Sequence, residues 1–202
     1  MKKIIVVTLS LCLGMLHFAG SAGASTTVLT FEDLGVSGPM PEFYGGIDWR
    51  TVGNWSHYDH NNAFQWPYTP HSGSEIVFYG QDIIDPEPVQ LRFESQVRFD
   101  GAWFSGFGEF ASNMYTVQLD LYLGSTLVHS TDTLIPTPDP TFLATNYGGL
   151  IDHVVFNSPT NARNSIAMDD LTFDPAPVPV PAALYLLGSG LIGLAGFKRK
   201  KG

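Results

Sequence analysis

Between Glu32 and Asp174 this 202-residue chain has no lysine and no cysteine. Its single cysteine, Cys12, lies near the N-terminus. Thiol catalysis, cysteine-ligated zinc and disulfide staples are therefore excluded from the central stretch. Positive charge is scarce there too: Arg50, Arg92, Arg98 and Arg163 stand against 19 carboxylates, a net of −15. Without a basic footprint, nucleic acid is excluded as a partner. Such acidity suits a soluble extracellular protein and divalent cations.

Sequence signatures of catalysis are missing as well. There is no H-E-x-x-H, no G-x-S-x-G and no phosphate-binding glycine loop. With 19 acids some carboxylate pair is inevitable, so such pairs do not argue for a glycosidase. Asp152 and His153 are neighbours in a strand pattern, where successive side chains face opposite sides, so they are not expected to form a dyad. The expectation is a protein without catalytic residues; a secreted hydrolase is the weaker reading.

What is present begins at the two ends. Lys2 and Lys3, an apolar run over 4–18 and Ala22-Gly23-Ala24 read as a signal peptide over 1–24, which predicts a mature start near Ser25; an N-terminal membrane anchor is the weaker reading. At the other end, a Pro/Val/Ala linker over 175–181 reads as extended and polyproline-like. An uncharged apolar helix is expected over 183–197, followed by Lys198, Arg199, Lys200 and Lys201. The run is shorter than the roughly 20 residues of an ordinary span, but basic stems snorkel and bilayers thin locally. The basic cluster fits the cytoplasmic side.

Val178, Pro179, Val180, Pro181 and Ala182, with the apolar segment and the basic end, resemble the PEP-CTERM sorting signal, close to its VPLPA variant. The resemblance covers about 178–202, and Val180 stands where that family has Glu or Leu. It implies a precursor held in the inner membrane and processed by an exosortase, a membrane transpeptidase-like protease. The product is then released, or joined to the exopolysaccharide-rich surface.

Between the ends, residues 25–174 suit one domain. Short runs of β-branched and aromatic residues alternate with Gly, Pro, Asn and Asp clusters, the pattern of an all-β sandwich. Strands are expected at 27–31, 46–51, 74–79, 89–93, 98–104, 115–123, 126–134, 151–156 and 165–173. In 115–123, Val117, Leu119, Leu121 and Leu123 alternate with polar residues and Tyr122, and Gly124-Ser125 turns the chain into a hairpin. Two long loops are expected, over 52–73 and 135–145, and loops of that length are often functional.

Three clusters are candidates for a site. Glu32 and Asp33 close the first strand pattern, and Asp169 and Asp170 lie in the last. A buried carboxylate needs a partner. Ca²⁺, or hydrogen bonds from loop amides, would supply one. Phe31-Glu32-Asp33 and Met168-Asp169-Asp170-Leu171 resemble the chain ends of jelly-roll carbohydrate-binding modules. That resemblance implies a structural calcium on Glu32 and Asp169, with Asp33 or Asp170 as alternates.

The second cluster is aromatic. Trp49, Trp55, Tyr58, Phe64, Trp66 and Tyr68 fall within twenty residues, with amides between them. Sugar rings stack on such planes while amides read hydroxyls, so Asn54, Trp55, Tyr58 and Trp66 are the expected ligand contacts. Trp49 falls in a strand pattern and reads as core. The third cluster, His57, Asp59, His60 and His71, has ligand chemistry for zinc but no helix to fix its spacing, so solvent-exposed histidines are expected.

The expectation is a jelly-roll-like β-sandwich flanked by a signal peptide and one C-terminal hydrophobic helix. It is exported, held at the inner membrane as a precursor, and binds extracellular polysaccharide. A structural or adhesive surface protein with no small ligand is the alternative.

Overall fold

The computed structural model describes residues 25–50, 55–61, 68–79, 89–106, 116–157 and 166–177, with 109–110 and 113–114 as backbone. The expected signal peptide, the PEP-CTERM-like motif and the apolar run over 183–197 lie outside the described residues. Among the described residues there is no helix, hence none long and apolar enough to cross a membrane. Residues Ser25–Ala176 form the compact unit.

The strands are β1 (Thr27–Leu29), β2 (Gly38–Pro39), β3 (Phe43–Tyr44), β4 (Ile47–Asp48), β5 (Trp55–Asp59), β6 (Glu75–Tyr79) and β7 (Val89–Gly106). They continue with β8 (Glu109–Phe110), β9 (Asn113–Met114), β10 (Gln118–Leu123), β11 (Thr126–Ser130), β12 (Thr141–Ala144), β13 (Ile151–Asn157) and β14 (Ile166–Pro175). Among the described residues every strand pairing is antiparallel. The protein is all-β.

β7 organises the pairing. The sequence suggests two strands here, 89–93 and 98–104, but the chain runs through as one strand of 18 residues. Phe104 pairs with Thr141 of β12 and Met168 of β14, so these flank opposite edges. Arg92 pairs with His153 of β13 and Asp48 of β4, again on opposite edges. Val97 pairs with Ile151 and with Pro175, which places β12 and β13 on one edge and β14 and β4 on the other. The first half of β7 thus belongs to the layer β11-β10-β13-β7-β4-β3, and the second half to β12-β7-β14-β6-β5-β2.

One strand serving two layers must bend, and Gly101 sits where it does. Its φ of +143° is one that residues with a Cβ rarely adopt. A Cβ there would also run into the backbone oxygen of Leu143 on β12. The β7–β14 ladder slips beside it, between Asp169 and Thr172.

The two layers enclose one core. Leu91, Leu119, Leu121, Val154 and Phe156 of the first join Trp55, Val77, Phe104, Met168 and Leu171 of the second in a single cluster. Trp55 meets Phe156 edge-on at 5.4 Å and Trp49 at 5.3 Å between ring centroids. Phe31, fully buried, packs on Trp49 and Tyr44. The expected reading of Trp49 as core agrees with its burial.

Two expected loops contain strands. β5 falls inside 52–73 and β12 inside 135–145. In β5 the alternation is Trp55 and His57 inward, Ser56 and Tyr58 outward. A histidine on the inner face hides that period from an apolar/polar reading.

Candidate functional site

Glu32, Asp169 and Asp170 meet on one short loop. Glu32 Oε1 accepts the amides of Ser74 at 2.9 Å and Glu75 at 2.7 Å. Asp169 Oδ2 accepts the amides of His71 at 2.8 Å and Ser72 at 2.9 Å, and Oδ1 that of Asp170 at 2.7 Å. The Asp170 carboxylate takes the Ser72 hydroxyl at 2.8 Å and faces His71 Nδ1 at 2.5 Å. Carboxylates from the turn after β1 and from β14 thus hold residues 71–75, chiefly by their backbone, as a clasp.

Backbone strain gathers at this clasp. Phe31, just before Glu32, has φ +63°, and Asp170 has φ +44°. Left-handed φ at non-glycine residues costs on the order of 1–3 kcal/mol each and persists only where neighbours impose it. Asp169 and Asp170 are both buried, as is every residue from Ile166 to Leu171, because β14 is covered on both faces.

Burial pushes the Asp169 carboxyl up to about 6, the Ser72 amide opposing and the Asp170 charge adding to the rise. These residues do not fit the calcium expected of Glu32 and Asp169. The loop presents amide hydrogens to both carboxylates, and these repel a cation. Among the described residues no group of three or more His, Asp or Glu converges to hold a metal.

The expected sugar contacts are dispersed. Trp55 is 3 % exposed, its faces taken by the core, so it offers no stacking platform; its strand position and inward alternation are the reason. Tyr58 is half-buried on the outer face of β5, packed against Phe78 and the Tyr68–Ile76–Ala167 cluster. Asn54 and Trp66 lie outside the described residues.

The histidines separate too. His57 is buried on the inner face, 3.3 Å from Glu75 Oε2, and burial raises the Glu75 carboxyl despite that contact. His71 lies flat on Trp103 at 3.5 Å. His57 is thus no solvent-exposed loop residue.

The first layer presents a different surface. Leu91, Phe93, Leu119, Leu121, Val154 and Ile47 point inward, so their strand neighbours point out. Register aligns Phe43, Asp48, Arg92, His153, Tyr122 and Leu127 in one row across six strands. At ladder spacing that row is about 24 Å long. Beside it run Gln90, Val155, Asp120 and Ser130.

The row combines planar groups and hydrogen-bonding groups. Tyr122 and His153 stack at 4.8 Å, and the Arg50 guanidinium lies 4.2 Å over the Phe43 ring. His153 Nδ1 is 2.7 Å from Asp152 Oδ1, although sequence neighbours in a regular strand face apart. A register slip between Ile151 and His153 brings them together. Asp152 is buried enough to raise its carboxyl, but the Gly124 amide, His153 and the charge of Arg92 outweigh that and hold it below the ordinary range.

The acids of this face are internally bonded. Both Asp48 oxygens take Arg50, chiefly through side-chain hydrogen bonds that pull its carboxyl down to about 2. Asp120 takes Ser130 and Asn157, one on each oxygen. Arg92 is exposed, and its Nη2 donates to the neutral Gln90 Oε1 at 3.2 Å. The alternation over 115–123 already placed Tyr122 opposite Leu121; only strand register could add Arg92 and His153.

No family model matches the chain, and no curated protein matches it. Solved structures of variants of CBM29-2, a family 29 carbohydrate-binding module studied for ligand recognition, are similar to it. One is 14 % identical over 75 % of this chain and 91 % of its own, with a TM-score of 0.39. Another is 14 % identical over 76 % and 94 %, with a TM-score of 0.40. At these values the similarity says nothing about ligand or site.

Proposed function

We propose that this chain is an exported surface or extracellular-matrix protein whose β-sandwich binds carbohydrate and does not turn it over. The observation that carries this reading is the outer row of the first layer. Phe43 and the stacked Tyr122–His153 pair supply planes for the apolar faces of sugar rings, and Arg92 and Gln90 supply groups that read hydroxyls. A row of about 24 Å suits an extended chain of several rings. The sequence supports the address: a signal peptide over 1–24, and a PEP-CTERM-like tail at Val178, Pro179, Val180, Pro181 and Ala182 for an exosortase at the inner membrane.

Binding is tested by affinity electrophoresis of the purified protein through gels containing extracted extracellular polysaccharides. Wild type is retarded, and Tyr122→Ala with His153→Ala runs as in a blank gel. Retardation unchanged in that double variant sinks the assignment of this face. No retardation by any glycan favours a structural or adhesive protein. Mass spectrometry of the mature C-terminus tests sorting: an end near Ala182 supports processing, and an intact tail defeats it.

A further inference from the structure

We infer that Arg92 anchors an isolated carboxylate on an otherwise neutral glycan, so that the ligand is a sparsely acidic heteropolysaccharide. This rests on the carbohydrate reading above and specifies its ligand.

Three observations carry it. First, the described arginines differ in their partners. Arg50 is bound to Asp48, and Arg98 to Asp174 and Asp100. Among the described residues Arg92 forms no ion pair within 4.0 Å, and one neutral acceptor takes one of its five donors. Second, the acids around it are already engaged: Asp48 by Arg50, Asp152 by Gly124 and His153, Asp120 by Ser130 and Asn157. The hydrogen-bonding capacity left on the row at Arg92 is therefore that of a donor, and its planar fork matches a carboxylate.

Third, Arg92 sits mid-row, with the stacked His153–Tyr122 pair on one side and Asp48 and Phe43 on the other. A charged sugar at Arg92 thus has neutral neighbours over Tyr122 and Phe43. Net charge sets the charge density of the polymer. The stretch from Glu32 to Asp174 carries −15, and a polymer with a carboxylate on every ring is repelled as a whole. An isolated carboxylate meets the guanidinium without that penalty.

The probes are three gels: xanthan, whose neutral backbone bears scattered glucuronate; xanthan with its carboxyls chemically reduced to hydroxymethyl groups; and alginate, charged on every ring. Wild type is expected to bind xanthan about tenfold or more tighter than its reduced form, as charge-assisted hydrogen bonds contribute. Alginate is expected to bind more weakly than xanthan at low salt. Arg92→Ala should lose the preference for xanthan while keeping the affinity for the reduced polymer, and Arg92→Lys should recover part of it. Tyr122→Ala should weaken both xanthans alike.

Equal binding of native and reduced xanthan, unaffected by Arg92→Ala, overturns the carboxylate and leaves the carbohydrate reading standing. Alginate tighter than xanthan overturns the sparse-charge requirement. Failure to bind any of these or the extracted polysaccharides removes both. Arg92 is exposed on a strand surface, and matching urea unfolding curves verify that its variants fold.

Discussion

The carboxyl group of Glu32 fills the space that a side chain at position 73 would need. A Cβ built on Gly73 falls inside van der Waals contact of the Glu32 carboxyl, and Gly73 has φ +51°. Glycine is thus required for conformation, and a Cβ there would push the Glu32 carboxyl off the Ser74 and Glu75 amides. Gly73→Ala is expected to destabilise the protein by about 2 kcal/mol or more, read from urea unfolding midpoints at constant slope. A change below about 0.5 kcal/mol would show that the clasp is loose.

The clasp also predicts the response to metal removal. Since loop amides occupy Glu32 and Asp169, chelator should leave the melting temperature unchanged, and Glu32→Ala should cost about 1–3 kcal/mol by orphaning the Ser74 and Glu75 amides. Scanning calorimetry with EDTA and with added Ca²⁺ measures both. A fall in melting temperature with EDTA would restore the calcium.

Asp169 sets a pH dependence of definite sign. Its carboxyl is held at about 6 in the fold, chiefly by burial, against about 3.9 unfolded. Between these values the folded state binds more protons, so this group's contribution to stability falls as pH rises, and its cost is complete above pH 6. The span is on the order of 2–3 kcal/mol at 1.36 kcal/mol per pH unit. Stability measured from pH 4 to 7, wild type minus Asp169→Asn, should decline across this window. A flat or rising difference contradicts it.

Trp55 and Tyr122 should fail in opposite ways. Trp55→Ala opens the core between Trp49 and Phe156 and is expected to cost about 3–5 kcal/mol. Tyr122→Ala removes an outward ring that is half-buried, so stability should change little while glycan retardation falls. Paired unfolding and affinity gels separate the two. A stable Trp55→Ala that loses binding would return the site to the aromatic cluster.

Composition and period made the strands legible, because alternation such as that of Leu119 and Leu121 is local. The acids at Glu32 and Asp169 were legible as groups in need of partners, with loop amides among the candidates. Which amides answer them was not, because it depends on a loop over 71–75 arriving from elsewhere in the chain. Trp55 was misjudged for a related reason: aromatic content does not say which face a strand turns inward. The row through Arg92 joins residues from six strands, and its register exists only once β7 has paired on both edges.

That strand has a mechanical consequence. β14, where the described fold ends, is laddered to β7 from Ile166–Gly106 to Pro175–Val97, and Arg92 lies five residues further along β7. Because the two strands are antiparallel, Pro175 and Arg92 lie at the same end of the pair. A force that pulled those two points apart would open the ladder from Pro175–Val97 inward, rung by rung, and would not load all its hydrogen bonds together.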